Sequence, residues 1–276
     1  MNRFLRLTTL MACVTALAGC DVIGVAAQAA RARGSFERTL TVSGPVDLSV
    51  RTGSGDIQIR VGTTDRVQLT GRISAGPSRD SAEAPAERVR FIETTPPVVQ
   101  EGNVIRIGET QGDQRYNNVS ISYELVVPPN TQIEARTGSG DQMIGSVDGA
   151  IRAQTGSGDI RIERTGGSLS AQTGSGDISA ASVGGEVRAQ TGSGDVEVTQ
   201  TARGDVVVST GSGDVVLKLP ADAAYTLDAR TGSGSISTSQ PITVQGQMRR
   251  NHVQGTVRGG GNTVRVKTGS GSVDIR

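Results

Sequence analysis

The sequence predicts an all-β protein, in the form of a single-stranded, right-handed parallel β-solenoid (a β-helix-like fold) with about 18 residues per coil and irregular N-terminal coils. Three observations predict it. The tetrapeptide Thr-Gly-Ser-Gly occurs eight times in 276 residues, four consecutive copies are 18 residues apart, and alternating runs of apolar and polar residues lie between them. The copies begin at Thr52, Thr137, Thr155, Thr173, Thr191, Thr210, Thr231 and Thr268.

One repeat unit, beginning at Thr155, reads TGSGDIRIERTGGSLSAQ. It contains two short alternating runs, Ile160–Ile162 and Leu169–Ala171. Alternation with a period of two and β-branched residues on one face is typical of a half-buried strand. Gly-Ser-Gly supplies one turn and Gly167 lies in the other, because glycine readily adopts positive φ. Each unit is therefore predicted to form two strands and two turns.

The fixed period favours a stacked solenoid over the alternative, an antiparallel meander of hairpins. Coils stacked about 4.8 Å apart place equivalent residues above one another. Gln154, Gln172 and Gln190 are then expected to form a ladder of side-chain amides. The inward column predicted by the same register comprises Ile160, Ile178, Val196 and Val215.

Residues 1–19 are predicted to be a lipoprotein signal peptide. Arg3 and Arg6 give it a basic start, and an apolar stretch runs from Leu7 to Ala18. The ending Leu-Ala-Gly-Cys resembles the lipobox of bacterial lipoproteins, in which the chain is cleaved before the cysteine. That resemblance implies lipid attachment (diacylglycerol and palmitate) at Cys20. An ordinary secretory signal is the alternative, whereas the apolar stretch is shorter than the roughly 20 residues that span a bilayer.

The same resemblance implies a bacterial cell envelope protein anchored to a membrane through Cys20. Cleavage would also remove Cys13, so Cys20 would be the only cysteine and the mature chain would have no disulfide. Asp21 resembles the signal that retains enterobacterial lipoproteins in the inner membrane. The periplasmic face of the inner membrane and the outer membrane both remain open as locations.

The rest of the chain is predicted to form one domain behind a linker. Residues 20–38 are small and polar, and they predict a flexible tether. Residues 39–276 predict the β-solenoid repeat domain. Within it, residues 74–97 contain several prolines and predict an excursion from the sheet, a loop with one further strand around the sequence AERVRFIE.

An aspartate follows the second glycine in most of the repeated turns. The first interpretation is structural, since such a carboxylate accepts hydrogen bonds from backbone N–H groups of the turn. The alternative is calcium binding, because stacked carboxylates about 5 Å apart repel each other and the motif resembles calcium-binding nonapeptide repeats. The pattern departs from those repeats, since the motif occurs once per 18 residues. The aspartates of the column are Asp141, Asp159, Asp177, Asp195 and Asp214.

Composition argues against catalysis and against a nucleic-acid partner. His252 is the only histidine and is expected in an exposed turn. The chain has no Trp, three Tyr and three Phe, whereas carbohydrate-active β-helices usually display aromatic platforms. The net charge of +1 becomes −1 once Arg3 and Arg6 are removed, and a nucleic-acid partner needs a clustered basic face. No cofactor and no metal ligand is predicted.

The repeats TGSGDIRI and the segments SYELVVPPNTQIEARTGSGD and VDLSVRTGSGDIQIRVG resemble a bacterial β-strand-repeat family of putative adhesins of unknown function. The resemblance covers about Phe36 to Arg276. It implies stacked β-strands in an envelope or secreted protein, and it supplies no catalytic residues.

These observations predict a lipid-anchored envelope protein whose β-solenoid is an adhesion, binding or structural surface without catalysis. The expected partner, besides the membrane, is an envelope protein or a glycan. The first alternative is a calcium-binding repeat module, and the second is an envelope enzyme that acts on polysaccharide.

Overall fold

The structure, a computed structural model, describes residues 31–63, 65–79, 83–110, 112–244 and 249–276. The predicted signal peptide, Cys20 and the first part of the predicted tether lie outside these residues. The elements in chain order are β1 Ala32–Thr41, β2 Val46–Ser54, β3 Ile57–Val61, β4 Arg66–Ala75, α1 Pro85–Thr94, β5 Val98–Glu101, β6 Val104–Ile107, a 3-10 turn Gln114–Tyr116, β7 Val119–Val127, β8 Thr131–Ser139, β9 Gln142–Val147, β10 Ile151–Ser157, β11 Ile160–Thr165, β12 Leu169–Ser175, β13 Ile178–Val183, β14 Val187–Ser193, β15 Val196–Gln200, β16 Val206–Ser212, β17 Val215–Lys218, β18 Tyr225–Ser233, β19 Ile236–Thr238, β20 Thr243–Val244, β21 His252–Val257, β22 Asn262–Ser270 and β23 Val273–Ile275.

The described strands form two sheets. Sheet A has eleven strands in the order β1-β4-β7-β3-β9-β11-β13-β15-β17-β23-β19, and sheet B has twelve in the order β20-β21-β18-β22-β16-β14-β12-β10-β8-β2-β6-β5. Each Thr-Gly-Ser-Gly turn leads from a strand of sheet B into a strand of sheet A, as from β10 to β11. The inward side chains, mostly Val, Ile, Leu and Ala, pack into one core.

The repeats stack in parallel and in register, which confirms the prediction of a β-solenoid. On sheet B, β12 lies between β10 and β14, so Thr173 pairs with Thr155 and with Thr191. On sheet A, the predicted inward column is also confirmed, since its members pair in sequence. Each is at most 1% exposed: Ile160, Ile178, Val196 and Val215.

Gln142 occupies the same inward column and interrupts its apolar character. It pairs with Ile57 on one side and Ile160 on the other, and it is 1% exposed. Its amide nitrogen donates to the backbone carbonyl of Gln154 at 2.6 Å. Its amide oxygen is buried and has no hydrogen-bond partner among the described residues, which costs free energy because the oxygen has lost its hydrogen bonds to water.

The prediction of a wholly parallel solenoid is wrong at both ends of the stack. At one end, β1 pairs antiparallel with β4, and β4 with β7, while β5 pairs antiparallel with β6. At the other end, β21 pairs antiparallel with β18 and with β20. The last strands there, β19 and β20, have three and two residues. Short edge strands hinder pairing with another chain, which a long open edge invites.

The coils near one end are not stacked in their sequence order. Strand β22 lies between β16 and β18, and β23 lies between β17 and β19. Thr268 therefore pairs with both Thr210 and Thr231. The coil formed by residues 262–276 is inserted between two coils that precede it in the sequence.

Within the predicted excursion at residues 74–97, the sequence AERVRFIE forms a helix and not the further strand that was predicted there. Helix α1 begins with Pro85, and the side chain of Glu87 accepts the backbone N–H of Ala84, an arrangement that favours a helix start. Arg88, Val89 and Ile92 are buried, at the spacing of one helical face. The short run Val-Arg-Phe within this helix also alternates between apolar and polar residues, so the sequence pattern alone fits a strand as well as a helix.

The predicted tether at residues 20–38 is wrong from Ala32 onward, because β1 begins there. Phe36 is buried, with 4% of its surface exposed. Its ring lies over Gly71 of β4, and a Cβ on Gly71 would come within 2.3 Å of the ring. The N-terminal strand is therefore part of the folded domain. Within the described residues, no helix is long and apolar enough to cross a membrane.

Candidate functional site: the repeated turn and the outer faces

The eight Thr-Gly-Ser-Gly turns stack into one column along an edge of the protein. The second glycine of each turn has positive φ, 144° at Gly176, which residues with a Cβ rarely adopt. A Cβ on the first glycine, Gly174, would lie 2.5 Å from the carbonyl oxygen of Gly156 in the neighbouring coil. One glycine is therefore required by the backbone angle and the other by the close approach of two coils.

In seven of the eight turns, all but the first, the threonine is buried and bonds to a turn glycine of the neighbouring coil. Thr173 is 2% exposed, and its hydroxyl donates to the carbonyl oxygen of Gly158 at 3.0 Å. The same bond, between 2.8 and 3.1 Å, recurs at Thr137, Thr155, Thr191, Thr210, Thr231 and Thr268. The hydroxyl thus satisfies a turn carbonyl that the sheets leave without a strand partner.

The aspartate column forms a second ladder. Asp159 Oδ1 accepts the backbone N–H of Asp177 at 2.9 Å, and Asp177 Oδ1 accepts that of Asp195 at 2.8 Å. The ladder begins at Asp56 and ends with Asp214, which accepts from Ser272. This confirms the structural interpretation of the column: one oxygen of each carboxylate pairs a backbone donor of the next turn.

The geometry gives less support to a calcium site along this column. One oxygen of each carboxylate is already engaged, and Asp159 Oδ2 also pairs with Arg161 at 2.7 Å. The part of the chain that the structure describes contains no group of three or more His, Cys, Asp or Glu side chains arranged to hold a metal ion.

The outer face of sheet B carries basic side chains in two rows that cross the strands. Each row consists of residues that pair with one another on neighbouring strands. Along each strand, the two rows are two residues apart, or about 7 Å. Two acids, Glu134 and Asp228, lie in the same rows. We call the basic residues the basic band: Arg51, Arg106, Arg136, Arg152, Arg188, Arg230, Arg265 and Lys267.

Several basic residues on the outer face of sheet A pair with an acid. Lys218 lies 2.8 Å from Glu197, and Arg276 lies 2.6 Å from Asp274. Arg161, Arg164 and Arg72 also pair, with Asp159, Asp148 and Glu124 respectively. The outer face of sheet B contains similar pairs, since Arg136 pairs with Glu134 and Arg188 lies 2.7 Å from Glu186. What sets sheet B apart is the arrangement of its bases in two rows that contain only two acids.

One end of the basic band contains an acid surrounded by three bases. Asp228 lies 2.9 Å from Arg230, 3.9 Å from Arg265 and 3.3 Å from His252. Partial burial acts to raise the pKa of Asp228, but hydrogen bonds from Arg230 and His252 outweigh it, so the pKa lies below its ordinary value. The carboxylate is therefore ionised wherever the domain is folded near neutral pH.

The grooves in the described surface are open to solvent. One of about 540 Å³ is lined by residues that include Tyr116, Asn118 and Ser120. Another of about 330 Å³ is lined by residues that include Asp47 and Asp148. Neither includes His252, the residue that general acid–base chemistry most often uses.

The structure corrects two further sequence expectations. His252 opens strand β21 beside Asp228 and does not lie in an exposed turn. Gln154, Gln172 and Gln190 are in register, but their amides form no hydrogen bonds with one another in the described chain. Cys20, the predicted lipid attachment residue, lies outside the described residues.

Sequence reasoning missed the basic band. Its signal was present, because basic residues recur at two fixed positions before the turn: directly before the threonine, as in Arg136, and three residues before it, as in Arg152. The near-zero net charge concealed a clustered basic face. The exclusion of a nucleic-acid partner, which rested on the near-zero net charge, stays a prediction.

The comparison with protein families agrees with this fold. The family model described as Toastrack DUF4097 matches residues 131–276. Solved structures that the chain resembles include a putative cell adhesion protein from Clostridium sporogenes ATCC 15579 (14% identity, 88% of this chain and 99% of that chain, TM-score 0.36). Another is a putative adhesin from Bacteroides fragilis NCTC 9343 (14% identity, 88% and 97% covered, TM-score 0.39). No curated protein is similar in sequence to this chain.

Proposed function

The chain belongs to the Toastrack DUF4097 family, and we propose that it is a lipid-anchored protein of the bacterial cell envelope whose β-solenoid serves as an adhesion, binding or structural surface, without catalysis. The family model covers the strict repeats, from Thr131 onward. We propose in addition that the coils are right-handed with about 18 residues each. The 18-residue offset between paired Thr155 and Thr173 supports that length, and the preference of parallel crossovers supports the hand.

The observation that carries the proposal is that the repeated turn bonds to the equivalent turns of neighbouring coils. In one turn, the hydroxyl of Thr173 and the N–H of Asp177 both bond to the neighbouring coil, and a Cβ on Gly174 would lie 2.5 Å from a carbonyl oxygen of that coil. The repeated motif is thus accounted for by assembly of the stack. The outer faces of the two sheets remain available to a partner, and stacked repeats commonly bind through such extended surfaces.

The resemblance to the lipobox supports an anchor at Cys20. Export through such a signal places the domain in the envelope, on the periplasmic face of the inner membrane or in the outer membrane. A single acyl chain of myristoyl length gives only marginal membrane binding, so stable anchoring requires the full lipid modification. Stable association with the membrane is therefore expected to depend on this one thiol.

Fractionation of bacterial envelopes tests the anchor. The wild-type chain is expected to need detergent for extraction, whereas Cys20→Ala is expected to appear in the detergent-free soluble fraction. Cys13→Ala is the matched control, because cleavage before Cys20 would remove that residue, and it should behave as wild type. Equal detergent-free release of wild type and Cys20→Ala would contradict lipid anchoring.

A calcium-binding module is the second candidate, and the stacked carboxylates favour it. Asp177 Oδ1 accepts a backbone N–H, while its Oδ2 has no hydrogen-bond partner among the described residues. Thermal unfolding with calcium and then with EDTA distinguishes the two functions. The surface function predicts no change in midpoint. A rise of several degrees in calcium, abolished by Asp177→Asn and by EDTA, would favour the calcium module instead.

A further inference from the structure

We propose that the basic band of sheet B binds an extended anionic polysaccharide laid across the strands. The inference deepens the proposed function, on which it rests, because it names the class of partner for one outer face. It follows from the arrangement of charge on that face, from the pairing state of its guanidinium groups, and from the residues between them.

The charge on the outer face of sheet B is in excess and is partly unpaired. The two rows contain the eight bases of the basic band and two acids, Glu134 and Asp228. Arg51, Arg152 and Lys267 have no salt-bridge partner among the described residues. The other five members of the band each pair with an acid: Arg106, Arg136, Arg188, Arg230 and Arg265. An excess of one sign on a flat face attracts polymers of the opposite sign.

Like charges are also placed directly beside each other within the band. Arg51 pairs in register with Arg136, and Lys267 with Arg230, although like charges directly opposite one another destabilise a sheet. The Nε atoms of Arg51 and Arg136 are buried and have no hydrogen-bond partner within the described chain. A bound anion would compensate the repulsion, because guanidinium groups bind carboxylates and phosphates through paired hydrogen bonds.

The shape of the band fits a linear polymer. It crosses nine neighbouring strands of sheet B, from β18 to β6, which at about 4.8 Å per strand gives a length of about 40 Å. Its two rows give a width of about 7 Å between side-chain positions. A strip that is long, narrow and flat matches an extended chain better than a compact solute, which would need a concave site.

The residues between the bases favour a sugar chain over the other polyanions. The centre of one row consists of Gln154, Gln172, Gln190 and Ser209, whose amides and hydroxyl can donate to and accept from sugar hydroxyls. Single-stranded nucleic acid is usually held by stacking on aromatic side chains, and membrane surfaces by apolar side chains that enter the interface. Neither type of side chain occurs in the central part of this row.

The test compares two variants of equal net charge. The band variant carries Arg51→Gln, Arg152→Gln and Lys267→Gln, the three bases of the band without an ion pair among the described residues. The control variant carries Arg161→Gln, Lys218→Gln and Arg276→Gln on sheet A, where each base pairs with an acid. Binding of the full-length chain in detergent to polygalacturonate, dextran sulfate and neutral dextran is measured by calorimetry at 50 and 300 mM salt. Thermal unfolding establishes that both variants remain folded.

The wild type and the control variant are expected to bind both charged polysaccharides, more weakly at high salt, and not neutral dextran. The band variant is expected to bind about tenfold more weakly, because each of three exposed ion pairs contributes modestly. Equal losses in the two variants, or no binding of either charged polysaccharide, would overturn the proposal. So would stronger binding to phosphatidylglycerol vesicles or duplex DNA. Lipid anchoring is tested separately, by the fractionation of Cys20→Ala. A failure of polysaccharide binding therefore leaves the anchoring proposal intact.

Discussion

Replacement of Gly174 by alanine tests whether the repeated turn exists to bring coils close together. Gly174 is the first glycine of a turn in the middle of the stack, and its φ is not positive. Alanine can therefore adopt the local backbone angles. Its Cβ, however, would lie 2.5 Å from the carbonyl oxygen of Gly156, well inside ordinary van der Waals contact, so the two turns must move apart.

The structure gives the size of the effect. Ordinary contact begins near 3.4 Å, so the coils would have to separate by about 0.9 Å at this point. The bonds that cross the same gap, from Thr173 to Gly158 and from Asp177 to Asp159, measure 3.0 and 2.9 Å, and at least one would be lost. Overpacking costs about 1–3 kcal/mol and a lost hydrogen bond about 1 kcal/mol.

A term of opposite sign comes from the unfolded chain. Alanine has less conformational freedom than glycine, which stabilises the folded state by about 0.4–1 kcal/mol where no strain arises. The net expectation for Gly174→Ala is a loss of about 2 kcal/mol in the free energy of unfolding. Urea unfolding, followed by circular dichroism, measures it from the midpoint, provided that the slope is unchanged.

Gly53→Ala is the matched control. Gly53 holds the same place in its turn, and a Cβ there would have nothing within 4 Å. The control is expected to be as stable as wild type or more stable by up to about 1 kcal/mol. If Gly174→Ala and Gly53→Ala unfold at the same urea concentration, close stacking of the turns does not explain the glycine, and the reasoning fails.

Three further predictions concern the core and the charged cluster. Ile178→Asp should lower the free energy of unfolding by several kcal/mol, whereas Ser179→Asp on the outer face should change it by less than about 0.5 kcal/mol; hydrogen exchange should show the loss in coils next to Ile178, and equal losses in both variants would contradict the inward assignment. Gln142→Leu should change the free energy of unfolding by less than about 1 kcal/mol, because it removes a buried amide oxygen without a partner and also the hydrogen bond to the Gln154 carbonyl, and a larger shift in either direction would refute this. The lowered pKa of Asp228 contributes stability that is present above the unfolded pKa of about 3.9 and is lost as pH falls towards the folded pKa. Asp228→Asn should therefore lose less stability than wild type between about pH 4 and pH 2. Parallel curves of the free energy of unfolding against pH for the two proteins would exclude the effect.

The sequence predicted the stacked repeats because each unit repeats its whole environment. Every Thr-Gly-Ser-Gly meets the same motif above and below, so the period of the sequence is the register of the sheets. The inward position of Ile178 and the structural role of Asp177 followed from that register, and both are confirmed. Regular spacing thus carried tertiary information that single motifs seldom carry.

The ends of the stack could not be predicted in the same way, because no repeat defines their neighbours. Residues 85–94 alternate over too few positions to separate strand from helix, and packing of Arg88 and Val89 decides in favour of the helix. Strand β1 lies in a small, polar segment whose partner, β4, follows some thirty residues later. The basic band was missed because net charge is a sum over the chain, whereas a face depends on which residues the register brings together.

The insertion of residues 262–276 between two earlier coils affects how the protein is made. Until those residues have been synthesised, β16 and β18 have no partner for one full edge each, so neither sheet can be completed. Contacts between distant parts of a chain form slowly, and open strand edges expose a nascent protein to aggregation. The coil that is translated after its neighbours therefore completes the stack. Both sheets can be completed only after the strands that contain Val264 and Val273 have been synthesised.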